Sequence, residues 1–404
     1  MHLGLVTCEF FDAAVGRMGG FGFASRSVIR CVDRTPELGV RVTTLAGEPR
    51  FGGEPRVEEV HGHPVIPYDH DGRRVLIQHC RAIRAARPDM LLTIDYRPRY
   101  DRIFLSLPRT PIAIWVRDPW TPDDARRIAT VRVPGDSSMA RGVGHPDTTQ
   151  LRRIMRIARL TGRRIAFVSP APHLVARVEG TYGVPLRELP LLPNIIGKPS
   201  DPSPKSARPS LVFLGRLDPI KRPWLMAEIG RRMPDVDIYL LGQAHYAPGP
   251  GTWTATDLPP NVRLMGHLDG PQKAELLSAA WLLVNTSIHE GLAISFLEAL
   301  AHGTPLVAGL DPDGVVSRYG TYVGDFLGDG LAGVDAYVAA IRALLDDPGR
   351  RAQLADAGQA WVAATHSRDN FLRHFGELCA RLHVRLPTPA AVPARSDQRV
   401  LIPT

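Results

Sequence analysis

Three short stretches in the second half of this 404-residue chain combine the residue types that phosphate and sugar chemistry needs. Residues 211–221 read LVFLGRLDPIK: an apolar run, then Gly215, then Arg216 and Lys221 five positions apart across a turn containing Pro219. A guanidinium grips two oxygens in a fixed fork and an ammonium acts as a point charge, so together they suit a diphosphate. Residues 287–298, SIHEGLAISFLE, place Glu290 and Glu298 eight positions apart. Glu290 and Gly291 fall before a helix whose first N–H groups, from about Leu292 onward, have no intrahelical partner and can hold phosphate oxygens. A carboxylate at that mouth can orient sugar hydroxyls, and one further along the helix can hold a ribose. Residues 301–308, AHGTPLVA, are a Gly-terminated helix running into a strand, which is structural punctuation. The plain alternatives are surface cations for the first stretch and an acidic complement to a helix dipole for the second.

Such groups act together only if a sheet brings its strand ends to one edge, because ligands of open parallel sheets sit beyond the carboxyl ends of the strands. The chain has that character. Short β-branched or Leu-rich runs alternate with segments of helical period, the pattern of parallel α/β layers. In the first half, strands are expected at 3–8, 40–45, 90–94, 112–116, 165–168 and 189–192. Helices are expected there at 21–33, 73–86, 125–130, 151–160 and 173–181. The second half repeats the theme with strands at 210–214, 237–241, 262–265, 281–285 and 305–308, then helices at 334–345, 350–364 and 370–382. Two sheets imply two similar domains. Between them, IIGKPSDPSPKSARPS resists regular structure and reads as a linker. The organisation expected is a first domain over 1–195, a linker over 196–210, a second domain over 211–368, a helix over 369–385 and a Pro-rich flexible tail over 386–404. The stretch 134–150 has no periodicity and is long for a loop, which suggests a cover over the site or an interaction loop.

The succession GRLxxxK, VRLMGHL and EGLAISFLEALAHGTPLVAG resembles the donor domain of retaining glycosyltransferases of family 4, strongly over residues 211–382 and more weakly over the first half. The resemblance implies the GT-B fold: an α/β architecture of two Rossmann-like domains facing each other across a cleft, with a final helix crossing back to the first domain. It implies that Arg216 and Lys221 hold the diphosphate leaving group, Glu290 faces the donor sugar, and Glu298 faces the nucleotide ribose. Gly215, Gly291, Leu292 and Ala293 then line the donor site, and the backbone around Gly266 and His267 borders the base. In the first half, GRMGGFG resembles the family loop that approaches the donor phosphate, with Gly19 and Gly20 as candidates. A dinucleotide fingerprint through Gly20, Gly22 and Ser25 is rejected, since the glycines lie a dozen residues past the strand. LLPNII matches the family's Pro-Asn turn, although the usual Gly-Val-Asp has become Ile195, Ile196 and Gly197.

The first half also departs from the family. Where a His commonly stands beside the reacting sugar, this chain has Arg117, followed by Asp118, Pro119 and Trp120; one strand earlier stands Asp95, with Tyr96 and Arg97. Arginine is no general base near neutral pH. Either a retaining front-face reaction lets the departing phosphate take the acceptor's proton, or the chain no longer transfers sugar. The intact donor motifs favour the first. Arg117 with Asp95 and Arg97 then marks the acceptor side and suggests an anionic acceptor, against the plain alternative of an Arg117 salt bridge to Asp118 or Asp95.

Charge and composition narrow the field. The net charge is +8, and residues 1–195 carry 29 basic and 20 acidic residues, so the excess lies in the first half. That favours an anionic partner there, yet the dense basic runs and interleaved aromatics of a nucleic-acid binder are missing. The 151–160 helix has an apolar stripe and arginines elsewhere, so peripheral membrane contact is conceivable, with packing on the domain preferred. The HGH triplet at His61, Gly62 and His63 reads as a hairpin turn rather than a metal site. Neither a metal nor a resident cofactor is implied; the partners are a nucleotide sugar and an acceptor. Four cysteines without CxxC spacing read as reduced thiols, and no signal peptide or spanning segment is evident, so a cytoplasmic location is expected. The function these readings converge on is a retaining hexosyltransferase-type enzyme. The alternatives are a non-catalytic nucleotide-sugar-binding partner and a GT-B-like nucleotide-sugar epimerase.

Overall fold

A computed structural model describes residues 1–12, 18–47, 58–60, 62–68, 76–97, 100–142, 148–183, 189–199 and 203–387. The expected helix start at 73–75, His61 of the HGH triplet, positions 143–147 of the long loop, 200–202 of the linker and 388–404 of the tail lie outside the described residues.

The first half supplies β1 (His2–Thr7), α1 (Gly20–Asp33), β2 (Arg41–Gly47), β3 (Glu58–Val60), β4 (His63–Tyr68), α2 (Leu76–Ala86), β5 (Met90–Ile94), α3 (Tyr100–Ser106), β6 (Ile112–Trp115), α4 (Pro122–Ile128), α5 (Thr149–Thr161), β7 (Ile165–Val168) and α6 (Leu174–Tyr182). The second half supplies β8 (Ser210–Leu214), α7 (Trp224–Arg232), β9 (Asp237–Leu241), β10 (Val262–Gly266), α8 (Gly270–Ala279), β11 (Leu282–Asn285), α9 (Ile294–Ala301), β12 (Leu306–Ala308), α10 (Val315–Tyr319), β13 (Gly320–Tyr322), α11 (Val334–Asp346), α12 (Pro348–Thr365) and α13 (Arg368–Arg381). Among the described residues, one sheet runs β3-β4-β2-β1-β5-β6-β7 and the other β10-β9-β8-β11-β12-β13. Every pairing is parallel except β3 with β4, where Val60 faces His63 across the hairpin expected at the HGH triplet. Strands β1, β5, β6 and β11 are buried along their whole length, as central strands covered by helices on both faces must be. That is why they read as largely apolar runs.

One expectation fails locally, and one strand appears that was not expected. Residues 189–192 form no strand; a single bridge joins Leu191 to Ser169, because Pro190 and Pro193 remove the donors a ladder needs. The short β13 was not foreseen: GTY is too brief to show a period, and it is fixed by pairing with β12.

The strand order reverses at β1, between β2 and β5, and at β8, between β9 and β11. The loops after β1 and β8 therefore leave their sheets at the two switch points where such folds bind ligands. The chain crosses between the sheets after Leu192 and again at His366. Beyond that second crossing, Phe371, Phe375 and Leu378 of α13 and Leu382 at its end join the core of Leu3, Leu5 and Trp115.

A third connection was not foreseen. Trp120, Ile128, Val131, Val133 and Ala140, which follow β6 of the first sheet, are buried in one cluster with Leu211, Phe213, Trp224 and Ile288 of the second. Gly251 donates to Asp136 at 2.6 Å and accepts from the Arg141 backbone at 2.9 Å. Arg127 pairs with Asp325, and Gly328 donates to Thr130 at 3.0 Å. The segment 120–142, which includes residues 134–142 of the long loop, is thus a strap packed into the second domain's core.

Candidate active site

The sheets face each other across a crevice of about 360 Å³, within the range of small-ligand sites. All the residues marked in the sequence line it apart from Asp95 and Gly266.

On the second-domain wall, the turn after β8 brings Gly215, Arg216 and Lys221 to the crevice beside the first turn of α9. Gly242 presses on this turn from below: a Cβ there would lie 1.9 Å from the Gly215 oxygen. Both cations already have carboxylate partners. Lys221 Nζ donates to Glu290 Oε1 at 2.6 Å, and the same oxygen accepts from Ser287 at 2.6 Å and Asn285 at 3.1 Å. Burial pushes the Glu290 carboxyl up, but the Lys221 charge and these hydrogen bonds outweigh it and hold the group ionised below its ordinary range. Arg216 lies 3.3 Å from Asp218; burial opposes its charge, and Glu9 and Asp218 more than offset that. Glu298 is held by Lys273 at 2.6 Å. His267 borders the crevice, whereas Gly266 ends β10 with φ 66° and its carbonyl accepts from Gly242 at 2.8 Å, outside the lining.

The first-domain wall departs more from expectation. Gly19 and Gly20 reach the crevice, yet the N–H groups of Gly19, Phe21 and Gly22 donate to Glu9 Oε2 at 3.0, 2.8 and 2.9 Å. The start of α1 is thus capped by a carboxylate from the loop after β1. Arg117 is only 5% exposed. Its guanidinium stacks on Trp115 at 4.5 Å and donates to Asn194 at 2.5 Å, so neither salt bridge considered from sequence forms. Burial lowers its pKa to about 10, against the raising charges of Asp95, Glu9 and Asp118. Asn194 in turn donates its N–H to His366 Nδ1 at 3.2 Å. Burial and the Arg117 charge push that ring down to about 4, which keeps it neutral. The residue in the usual His position therefore ties β6 to both main-chain crossings. Asp95 lies beneath the crevice with φ 61°, accepting from Tyr182 at 2.6 Å and from the backbone of Tyr96 and Asp118; its burial raises its pKa. It supports the turn that carries Asp118. Arg97 lines the crevice 3.9 Å from Asp95 and over the Phe21 ring.

The walls meet at residues 289–291. His289 Nε2 bonds Asp118 Oδ1 at 2.8 Å, and its Nδ1 lies 3.5 Å from Asp124. Arg177 donates to Asp124 at 2.7 Å and to the Glu290 carbonyl at 2.9 Å. Gly291 lies so close to the turn after β6 that a Cβ would come within 1.9 Å of the Arg117 oxygen. Carboxylates facing both ring nitrogens favour the doubly protonated His289: burial lowers its pKa, but Asp118 and Asp124 raise it above the ordinary value. Burial likewise raises the Asp118 carboxyl, and His289 overrides it, holding the group well below the usual range.

Sequence reasoning missed Glu9, His289, Lys273 and the Arg26–Asp269 ion pair that bridges the walls beside His267. His289 precedes Glu290 directly, and Lys273 is one of only four lysines. Those were the available signals.

Residues 208–347 match the family model described as glycosyl transferases group 1. The chain is 32% identical over 152 residues to a GDP-mannose-dependent monoacylated alpha-(1-6)-phosphatidylinositol monomannoside mannosyltransferase from Corynebacterium glutamicum. That stretch is 35% of this chain and 38% of the relative, so the chain spans well under half the length of the curated protein it matches. Among solved structures, a sucrose-phosphate synthase from Thermosynechococcus elongatus superposes with a TM-score of 0.70 at 16% identity, covering 95% of this chain and 99% of that one. HepE from Anabaena, in complex with UDP-glucose, superposes with a TM-score of 0.62 at 13% identity, covering 94% and 99%. With these neighbours and its two facing Rossmann-like domains, the chain has the GT-B fold, and residues 208–347 match glycosyl transferases group 1.

Proposed function

We propose that this chain transfers a sugar from a nucleotide diphosphate sugar to an acceptor, with retention at the anomeric carbon. The observation that carries the reading is the convergence of Arg216, Lys221 and the first turn of α9 on one crevice, with Glu290 and Glu298 beside them. Two fixed cations and aligned amides stabilise charge growing on a departing diphosphate without reorganising when it forms. On this reading the incoming diphosphate takes over Lys221 from Glu290, whose carboxylate, still held by Ser287 and Asn285, receives donor sugar hydroxyls. Glu298, steadied by Lys273, receives the ribose hydroxyls.

The bond from the anomeric carbon to the phosphate oxygen breaks as the acceptor oxygen bonds to the same face. The acceptor's proton passes to the leaving phosphate oxygen. This route needs no protein base at Arg117, whose guanidinium is already engaged with Trp115 and Asn194. The relatives point to a GDP- or UDP-linked donor, one being GDP-mannose-dependent and another holding UDP-glucose. With the diphosphate neutralised by side chains, we assign the reaction no metal and no resident cofactor. The four cysteines form no disulfide, which supports a cytoplasmic enzyme. Among the described residues, no helix is long and apolar enough to cross a membrane.

Thermal-shift screening of nucleotide sugars, followed by NMR of the product's anomeric centre, tests the proposal. Stabilisation by a GDP- or UDP-sugar and an unchanged anomeric configuration support it; an inverted product refutes retention. Donor binding without consumption across an acceptor panel would select the non-catalytic reading.

A further inference from the structure

Glu9 is built into the crevice more firmly than helix capping requires. Its main chain is pinned by Thr7, whose hydroxyl donates to the Glu9 carbonyl at 2.9 Å and accepts from the Glu9 N–H at 3.2 Å. All three amides at the start of α1 converge on Oε2. The other oxygen, Oε1, lies 2.7 Å from where a Cβ of residue 19 would stand, so Gly19 makes room for this carboxylate. Gly22 makes room for the same loop, since a Cβ there would meet the Phe10 oxygen at 2.0 Å. Gly19 and Gly22 thus accommodate an internal anion and the loop that carries it, and a phosphate could reach the amides of Gly19, Phe21 and Gly22 only by evicting it.

A carboxylate lining a ligand crevice disfavours a diphosphate beside it and accepts hydrogen bonds from hydroxyls. It offers about four lone-pair sites, and the three amides all draw on one oxygen. Glu9 lines the crevice with Arg216 and Arg117, whose charges it supports. Glu290 lines the same crevice, so on the glycosyl-transfer reading the reacting sugars lie in a space that both carboxylates border.

We propose that Glu9 is a specificity-determining residue: its carboxylate, locked by the amides of Gly19, Phe21 and Gly22, accepts a hydrogen bond from a sugar hydroxyl at the reaction centre and keeps the diphosphate on the second domain. This deepens the glycosyl-transfer reading and rests on it. The hydroxyl belongs either to the donor sugar or to the acceptor, and the same experiment separates the two.

The full chain and its Glu9→Gln variant are titrated with UDP, UDP-glucose, GDP and GDP-mannose by calorimetry. Donor hydrolysis and transfer to a panel of mono- and disaccharides are measured alongside. Gln keeps one oxygen for the amides, so the melting temperature is expected to hold; Gly19→Ala, which displaces Oε1, serves as the second variant. Nucleoside diphosphate affinity should stay within about twofold, while a sugar-dependent quantity falls about 10- to 100-fold, the weight of a hydrogen bond to a charged group. If the donor supplies the hydroxyl, the affinity advantage of the nucleotide sugar over its nucleoside diphosphate falls, and hydrolysis falls with it. If the acceptor supplies it, those hold and the acceptor KM rises. Unchanged sugar-dependent quantities in both variants would overturn the proposal, as would tighter nucleoside diphosphate binding with undiminished transfer. An unmodified chain that binds neither nucleotide sugar would instead bring down the glycosyl-transfer reading itself.

Discussion

His289 of the second domain bonds Asp118 of the first at 2.8 Å, one residue before the carboxylate that pairs with Lys221. Because Arg177 also holds the Glu290 carbonyl and Gly291 packs against the Arg117 oxygen, the first domain grips three consecutive residues at the mouth of α9. The position of Glu290 is therefore set from both sides of the crevice.

That grip depends on pH, and its sign follows from the shifts. His289 is raised above its ordinary 6.5, so its contribution is complete below pH 6.5 and is lost as pH climbs through the raised value. Asp118 and Asp124 lie below their ordinary 3.8, so theirs is present above pH 3.8 and is lost as pH falls through the lowered values. His289→Ala should cost about 1–3 kcal/mol near pH 6, since it leaves the half-buried Asp118 and the buried Asp124 without a shared partner. It should also flatten the decline in stability as pH rises above 6.5. Denaturant titrations of both proteins at several pH values check this, and parallel pH profiles would count against it.

Gly291→Ala tests the contact between the walls. A methyl group 1.9 Å from a backbone oxygen cannot be accommodated without shifting α9 or β6. Overpacking of this kind costs about 1–3 kcal/mol, and an ångström of misplacement at a reacting centre can cost on the order of 100-fold. A lowered melting temperature with kcat/KM down at least about tenfold is expected. Unimpaired turnover would show that the walls tolerate separation.

Trp120→Ala tests the strap. Trp120 is 7% exposed, donates to Asp118 at 3.2 Å and meets His289 edge-on. Removing a buried Trp costs about 3–5 kcal/mol. Since residues 120–142 belong to the second core, scanning calorimetry of the unmodified chain should show one cooperative transition. In the variant that transition should move down and split in two. Two separate transitions in the unmodified chain would mean the strap does not couple the domains.

Much of the fold was legible because central parallel strands are buried on both faces and must be largely apolar, as in MLLTI and IAIW. The donor side was legible for a related reason: Arg216, Lys221 and Glu290 lie within two short strand-to-helix turns and Glu298 in the helix that follows the second, so local spacing nearly fixes their positions. The first-domain wall was not. Glu9 acts on amides ten to thirteen residues away, Arg117 turns toward Asn194 seventy-seven residues on, and His289 reads as one more helix-mouth residue until Asp118 is placed opposite it. The strap escaped notice because its apolar residues, Val131, Val133 and Ala140, are spaced with no period.

Lys221→Ala should lower turnover about 100- to 1,000-fold, the effect of removing one preorganised donor at a developing anion. It also leaves the buried Glu290 carboxylate without its cation, so some loss of melting temperature accompanies it. Lys221→Ala combined with Glu290→Gln should regain the stability without regaining turnover. Recovery of both would assign Lys221 a structural role alone.

The central claim is most directly tested by comparing nucleoside diphosphate and monophosphate binding, UDP against UMP and GDP against GMP, in the unmodified chain and in Arg216→Met. For whichever base binds, the diphosphate should win by at least about tenfold, the value of charge-assisted hydrogen bonds to its terminal phosphate, and Arg216→Met should erase that margin. Equal affinities for the two nucleotides, or a margin indifferent to Arg216, would mean that the crevice does not hold a diphosphate there.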